Sequence, residues 1–173
     1  ARMAALKPGR GVDEGTTVGP VINAAAQSNM QRLVDETVAE GGDVVTGGKA
    51  GDGAGYFFAP TVLDNVKPGS TILGEEIFGP IAPITRFKTE DEAVRLANST
   101  EYGLVSYAFT EDLRRGMRLV DSVQSGMMGL NTGLVSNAAA PFGGVKQSGL
   151  GREGGLEGIN EYLDTKYVLI PNG

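Results

Sequence analysis

Two loops in this 173-residue sequence carry side chains that could do chemistry. The first, at 74–80, reads Gly-Glu-Glu-Ile-Phe-Gly-Pro, and the second, at 131–144, ends in Pro-Phe-Gly-Gly. Each sets a few polar or aromatic side chains among glycines and a proline. This composition is typical of backbone held in a special shape while one or two groups face a ligand. The sequence therefore predicts two binding loops.

The first loop contains two adjacent carboxylates, Glu75 and Glu76, followed by the ring of Phe78. Neighbouring side chains of an extended backbone point to opposite sides, so both glutamates cannot act on one ligand atom. An ionised carboxylate only accepts hydrogen bonds, so it suits a ligand that presents donors. We expect one glutamate to bind a ligand and the other to orient the loop.

The second loop offers the hydroxyl of Ser136 and the ring of Phe142. A serine among glycines most often forms a turn by bonding the local backbone, whereas a hydroxyl that faces a site can bind an anionic ligand. Phe142 can form the wall of a site, and the alternative is a ring packed in a core. The residues alone leave both pairs of alternatives open.

Composition excludes several classes of function. The chain has no cysteine and no histidine, so it contains no disulfide, no thiolate metal site, no cysteine nucleophile and no imidazole base. We expect no metal site. A net charge of −6 without a basic run argues against nucleic acid and anionic membranes as partners. No apolar run approaches the roughly 20 residues that span a bilayer, and no signal peptide opens the chain, so a cytoplasmic protein is expected.

The first half of the chain shows one strong helical pattern. A stripe with a period of 3.6 residues predicts a helix over about 24–40, ended by Gly41 and Gly42; its members are Met30, Leu33, Val34, Thr37 and Val38. We interpret its charged residues as a solvated face: Arg32, Asp35, Glu36 and Glu40. Strands are expected at 43–46 and 56–63, the second confined to an edge or bulge by Pro60. The glycines of 47–55 lack the helix and Lys-Ser/Thr pair of a phosphate loop.

Strands and helices alternate in the rest of the chain. We expect a strand at 81–87, a helix to about Asn98 opened by a Thr89/Glu92 capping box, and strands at 104–109 and 126–130. Between these strands, Thr110 is expected to cap a helix with one apolar face: Leu113, Gly116, Met117 and Val120. This alternation predicts an α/β fold, with a mainly parallel sheet covered by helices on both faces.

The last segment, 163–170, alternates with period 2 and ends at Pro171, which predicts a strand. With no later segment to pair with, its backbone groups need another sheet edge. We therefore expect two parts, residues 1–157 and a C-terminal strand part at 158–173, whose oligomerisation role is implied by the family resemblance given below.

The two loops and the run Val-Lys-Gln-Ser-Gly-Leu-Gly-Arg-Glu at 145–153 resemble the aldehyde dehydrogenase superfamily. That family carries E-E-I-F-G-P and P-F-G-G-x-K-x-S-G-x-G-R-E loops in this order, and the resemblance runs from about Pro8 to the last strand. The Asn-Thr-Gly-Leu-Val-Ser run at 131–136 resembles the succinate-semialdehyde branch.

The resemblance implies a role for each loop residue. Glu76 would accept hydrogen bonds from the nicotinamide-side ribose of NAD or NADP, and Phe78 would pack beside the nicotinamide. Ser136 would bind the distal carboxylate of a small aldehyde substrate, and Phe142 would form an aromatic wall of the aldehyde tunnel. Four further residues that match the family pattern are expected to be loop and interface scaffolding: Lys146, Ser148, Arg152 and Glu153.

The family's mechanism implies that this chain is incomplete as a catalyst. In that mechanism a cysteine thiolate attacks the aldehyde, hydride passes to the dinucleotide, and a glutamate assists water attack on the thioester. The family places that cysteine and glutamate upstream of the matched region. We therefore expect a C-terminal piece, beginning inside a helix at 1–6, that is inactive alone and forms a homo-dimer or tetramer through its last strand. A dehydrogenase for another aldehyde, or a non-catalytic assembly or regulatory module, remains an alternative.

Overall fold

The structure is a computed structural model that describes residues 2–172, which divide into two units at Lys88. Residues up to Lys88 form the first unit and residues from Thr89 form the second. Near the start of the first unit lies a single 3₁₀ turn, Met3–Ala5, where the sequence predicts the end of a helix.

Helix α1, Ala24–Ala39, confirms the predicted helix at 24–40. The Asn23 side chain caps its first turn by accepting from the Ala26 N–H at 2.8 Å. At the other end, Gly41 adopts φ +95°, and the N–H groups of Gly41 and Gly42 donate to the carbonyls of Val38 and Thr37. These two bonds form a Schellman motif, so the glycine pair ends the helix as predicted.

The predicted apolar stripe of α1 forms the core of the first unit. Met30, Leu33 and Val34 are buried, whereas Val38 at the end of the stripe is exposed. The three buried side chains pack in one cluster with residues from the strands, loops and short helix that follow: Phe58, Leu63, Val66, Ile72 and Ile81.

The first unit contains a three-stranded mixed sheet. Strand β1, Asp43–Thr46, pairs antiparallel with β2, Thr61–Asp64, and β2 pairs parallel with β3, Ile81–Pro83. The strand predicted at 56–63 is therefore misplaced: it begins after Pro60 and is central. Because Pro60 has no N–H, the ladder starts at Thr61, whose N–H donates to the Pro80 carbonyl at 2.8 Å.

Two short elements in this unit differ from the prediction. A one-turn helix that the sequence did not predict, α2, Thr71–Gly74, buries Ile72 and leads directly into the first loop. Strand β3 is shorter than the predicted 81–87. Its pairing reaches only Ile84, whose N–H donates to the Leu63 carbonyl at 2.8 Å.

The second unit opens with helix α3, Glu90–Ala97, where the Thr89 hydroxyl oxygen accepts from the Glu92 N–H at 3.1 Å as predicted. Strand β5, Val105–Ala108, then pairs parallel with β6, Met127–Leu130, and helix α4, Leu113–Ser122, connects them. This is the expected βαβ crossover. A second ladder is antiparallel and pairs β4, Tyr102–Gly103, with β7, Val145–Lys146.

The prediction that Thr110 caps α4 is wrong. Asp112 is the N-cap, and its carboxylate accepts from the N–H groups of Arg114 and Arg115 at 2.9 and 3.2 Å. The Thr110 hydroxyl instead accepts from the Asp112 N–H at 3.2 Å, which orders the turn before the helix. The apolar face of α4 is also mostly exposed, with only Gly116 buried, against Leu130.

The sheets are mixed. Among residues 2–172, two ladders are parallel and two are antiparallel, so a mainly parallel sheet is not confirmed. A 3₁₀ helix at Glu157–Tyr162 precedes the segment 163–170, which is exposed and has no ladder with any described residue. Its pairing as a strand, and the division at 157, stay predictions. No helix within 2–172 is long and apolar enough to cross a membrane.

Candidate functional site

The loop that follows α2 is anchored at Glu75. The Glu75 carboxylate accepts from Arg32 Nη2 at 2.6 Å, which joins the loop to α1 across 43 positions of sequence. The hydrogen bonds and charges of Glu36, and then of Glu75, raise the pKa of the Arg32 guanidinium. The arginine therefore stays charged and Glu75 has a fixed partner.

The loop is also fixed at alternate positions beyond Glu75. Ile77 packs against the core of the first unit. Gly79 lies so close to α1 that a Cβ there would collide with the sulfur of Met30. Its neighbour Pro80 supplies the carbonyl that starts strand β2. Glu75, Ile77 and Gly79 are thus the positions at which the loop meets the body of the unit.

Glu76 and Phe78 occupy the positions in between and are exposed. Among residues 2–172, Glu76 has no hydrogen bond or ion pair, and the Phe78 side chain is 82 % exposed. Phe78 also has φ +50°, a left-handed conformation that is uncommon for a residue with a Cβ. Phe78 is not a core residue of this unit. The two adjacent carboxylates therefore lie in different environments: Glu75 is paired with Arg32, and Glu76 faces solvent.

These two side chains fit a nicotinamide dinucleotide. An exposed, acceptor-only carboxylate matches the two hydroxyl donors of a ribose, and an exposed ring two residues later offers a flat apolar face to a heterocycle. Within the described residues, no group of three acidic, histidine or cysteine side chains could hold a metal ion.

In the second loop, Ser136 does not form the local turn. The turn bonds belong to its neighbours: the Thr132 hydroxyl accepts from the Leu134 N–H, and the Asn137 side chain accepts from the Ala139 N–H at 2.9 Å. The Ser136 hydroxyl is exposed and makes no hydrogen bond with residues 2–172. The turn-forming alternative for Ser136 is therefore wrong.

Phe142 is half-buried and held by its backbone, which exchanges two hydrogen bonds of 2.7 and 2.8 Å with Glu153. Phe142 lines a cleft of about 360 Å³ in the second unit, together with Leu104, Leu150, Arg152 and Tyr162. Ser136 does not line this cleft. The structure places Phe142 in the wall of a cavity but does not bring Ser136 to the same cavity.

The remaining matched residues have contacts within the second unit that fit loop scaffolding, and their predicted interface role stays a prediction. Lys146 Nζ donates to the Asn98 and Thr100 carbonyls at 3.0 and 3.1 Å, at the C-terminal end of α3, where a cation is favoured. Ser148 accepts from the Gly103 N–H at 2.9 Å. Arg152 donates to the carbonyls of residues 144 and 151 at 2.7 and 2.6 Å.

One residue of the first loop's surroundings was missed by the sequence, namely Arg32. Local periodicity places it on the polar face of α1, and that pattern predicts a solvated side chain. Asp35 on the same face is exposed, but Arg32 contacts Asn29, Glu36 and Glu75. No local signal connects it with Glu75, because their separation in sequence is far beyond any helical period.

Comparison with known proteins identifies the family of this chain. The family model described as "Aldehyde dehydrogenase family" matches residues 1–168. The chain belongs to this family.

Curated relatives of the aldehyde dehydrogenase family match almost the whole chain. A succinate-semialdehyde dehydrogenase of Paenarthrobacter nicotinovorans is 54% identical over 170 residues, which are 98% of the chain and 38% of that protein. A glutarate-semialdehyde dehydrogenase of Pseudomonas putida is 46% identical over 98% of the chain and 35% of its own length. The chain thus spans somewhat more than a third of the length of these relatives. The predicted placement at the C-terminal end of the family's length is not confirmed.

Solved aldehyde dehydrogenases have the same fold. The crystal structure of succinate-semialdehyde dehydrogenase from Burkholderia pseudomallei matches with a TM-score of 0.90 and 49% identity, over 93% of this chain and 33% of that one. Betaine aldehyde dehydrogenase of Staphylococcus aureus, in complex with NAD+, matches with a TM-score of 0.89 and 39% identity, over 95% of this chain and 34% of that one. The α/β class predicted from the sequence is confirmed.

Proposed function

We propose that this chain is part of an NAD- or NADP-dependent aldehyde dehydrogenase that oxidises succinic semialdehyde to succinate. The observation that carries the proposal is the first loop, which presents Glu76 and Phe78 to solvent while it is anchored at Glu75, Ile77 and Gly79. The family match, and the name of the 54%-identical relative, support the reaction and the substrate.

In this proposal the first loop positions the cofactor. The Glu76 carboxylate accepts hydrogen bonds from the two hydroxyls of the nicotinamide-side ribose, as charge-assisted bonds. The Phe78 ring packs beside the nicotinamide and limits its orientation. The bound dinucleotide supplies the hydride acceptor. These residues position reactants and carry no proton.

The second loop binds substrate. The free hydroxyl of Ser136 donates to the distal carboxylate of the semialdehyde. Phe142, which lines a cleft that Ser136 does not line, forms part of an aromatic wall of the aldehyde tunnel. The chain has no cysteine, so the thiol nucleophile of this mechanism comes from residues outside these 173.

Glutaric semialdehyde is the second candidate substrate, since the 46%-identical relative carries that name. The two substrates share the carboxylate that Ser136 would bind and differ by one methylene. A pocket that fits one of them discriminates against the other by roughly 10- to 200-fold.

The experiment compares the full-length protein with residues 1–173. We expect the full-length protein to form NADH or NADPH with succinic semialdehyde, with a higher kcat/KM than with glutaric semialdehyde or butanal. Residues 1–173 alone should form neither reduced cofactor, because they lack a thiol. A full-length protein without aldehyde-dependent reduction of either dinucleotide would favour the assembly module instead.

We further propose that the protein is a cytoplasmic homo-oligomer, a dimer or tetramer. The exposed segment 163–170 supports the oligomer. Its backbone has no ladder partner among residues 2–172, and its alternating pattern suits a strand that pairs with a second copy.

A further inference from the structure

Arg32 is fixed by its own helix before it meets the loop. Its Nε and Nη2 donate to the Asn29 side-chain oxygen at 3.1 and 2.7 Å, and its Nη1 donates to both oxygens of Glu36 at 2.9 Å. Asn29, Arg32 and Glu36 are three and four residues apart, so they share one face of α1. Helix α1 therefore presents a guanidinium of fixed orientation.

The Glu75 carboxylate meets the end of this fixed guanidinium. Its bond from Arg32 Nη2 is 2.6 Å long and charge-assisted, and therefore directional. Because α1 buries Met30, Leu33 and Val34 in one cluster with residues of the sheet, core packing sets its position relative to the sheet. The ion pair therefore fixes Glu75, the residue that directly follows α2, relative to α1 and the sheet.

The anchor at Glu75 constrains the orientation of the next side chains of the loop, Glu76 and Phe78. Glu76 follows directly, and Phe78 lies in a left-handed conformation that a free loop would populate rarely. Ile77 and Gly79 fix the far end of the loop, but neither is adjacent to Glu76 on its N-terminal side. Without Arg32, the N-terminal side of Glu76 would lose its ion-pair anchor to α1.

We propose that Arg32 is a positioning residue for hydride transfer. It clamps Glu75 and so holds the Glu76 carboxylate and the Phe78 ring where they orient the nicotinamide, while touching neither cofactor nor substrate itself. This inference rests on the proposed cofactor role of Glu76 and Phe78.

The pair is well suited to a positioning role because it contributes little to global stability. The side chains of Arg32 and Glu75 are 39% and 40% exposed, and exposed ion pairs of this kind add little to the free energy of unfolding. Its loss should therefore change the chemical step and leave Tm almost unchanged. If the pair had a purely structural role, its loss would lower Tm and leave the rate of hydride transfer almost unchanged.

The test uses the full-length protein and measures single-turnover hydride transfer, dinucleotide Kd and Tm. Arg32→Gln and Glu75→Gln should each slow hydride transfer by roughly 10- to 100-fold, the range expected when reactants are misplaced by about an ångström. Dinucleotide affinity should change much less. The double variant should be no slower than the slower single variant, and Arg32→Lys, which keeps the charge but loses the planar fork that Asn29 and Glu36 orient, should recover only part of the rate. Arg114→Gln, an exposed arginine on α4, is the matched control.

Glu76→Gln separates this inference from the proposed function. If Glu76→Gln slows hydride transfer and Arg32→Gln does not, the positioning role is overturned and the proposed function stands. Additive losses in the double variant would also overturn it, because the two residues would then act separately. If Glu76→Gln leaves the step unchanged, the cofactor role of the loop and the positioning role fall together. Should Arg32→Gln fold poorly, Glu75→Gln decides, because it is isosteric and lies in a loop.

Discussion

Ser136 is a hydroxyl with no hydrogen-bond partner among residues 2–172, set between neighbours that form the turns of its loop. A free donor in a fixed loop suits an anionic ligand group better than a backbone role. The free hydroxyl argues against the turn-forming alternative. The substrate carboxylate is proposed as its ligand on the basis of the family resemblance.

The role of Ser136 can be measured in the full-length protein by its charge selectivity. Ser136→Ala would leave the substrate carboxylate one donor short, and hydrogen bonds to charged groups are worth about 1.5 to 3 kcal/mol, or roughly 10- to 150-fold. We expect kcat/KM for succinic semialdehyde to fall by that factor and kcat/KM for butanal to change little. Ser122→Ala, which removes another exposed hydroxyl of the second unit, should affect neither substrate. Equal losses on both aldehydes would show that Ser136 only shapes the loop.

How far single residues could be predicted depended on how local their signals are. Glu76 and Phe78 stand in a compact run of glycine, proline and charge, so the sequence alone marks them as loop residues. Arg32 could not be found in this way, because its partner Glu75 is 43 positions away and comes close only after α1 packs on the sheet.

At the scale of elements, α1 was predicted because its signals are local. Its stripe, its asparagine cap and its glycine pair all lie within or beside the helix. Strand β2 was misplaced because a run of apolar residues at 56–63 resembles a strand, whereas Phe58 enters the core before the ladder begins. The missing N–H of Pro60 is the physical cue that separates the two parts.

Glu90 joins α3 to α4 and gives a pH-dependent test of that contact. Its carboxylate accepts from Arg118 at 2.7 Å and from Arg115 at 3.2 Å, and these bonds, that of Arg118 first, hold the pKa of Glu90 below its usual range. A depressed folded-state pKa stabilises the protein above the unfolded value of about 4.3. That stabilisation is lost as the pH falls through the folded-state pKa.

We therefore expect Glu90→Gln to lower Tm at neutral pH, with a difference from the wild type that narrows steadily below about pH 4. Thermal unfolding followed by circular dichroism across this range measures it. Glu111→Gln, an exposed glutamate without an ion pair among residues 2–172, is the control and should show little change. A difference in Tm that is the same at every pH would contradict the ion-pair explanation.

The segment 163–170 is the element whose role depends on a partner. If it adds a strand to a second copy, deletion of residues 163–173 should make the protein more monomeric. Light scattering on the full-length protein and on the deletion variant provides the comparison. Equal masses would count against an interface at this segment.

At the scale of the whole molecule, the two units differ in what they bury. The core of the first unit consists of large apolar side chains, including Leu33 and Leu63, which are fully buried. Among residues 89–172 the buried positions are all glycines, at 103, 116, 129, 144 and 158. At these glycines a neighbouring backbone or side chain approaches closely, and a residue without a side chain buries little apolar area of its own. The alternation of strands and helices predicted the order of the longer elements in both units, but not α2, β4 or β7, and it contains no information about this difference in burial.

The difference in burial predicts uneven protection from hydrogen exchange in residues 1–173. Burial of one leucine side chain stabilises by about 1.5 to 3 kcal/mol, and each 1.4 kcal/mol slows exchange about tenfold when exchange requires local opening. We therefore expect amides of α1 and β2 to exchange at least roughly tenfold more slowly than those of β5 and β6, although all four elements are regular and hydrogen-bonded. Mass spectrometry on peptides from the two units measures the ratio, and Leu33→Ala should reduce protection in the first unit alone. Equal protection in both units would mean that backbone hydrogen bonding, and not apolar burial, sets the local stability of this chain.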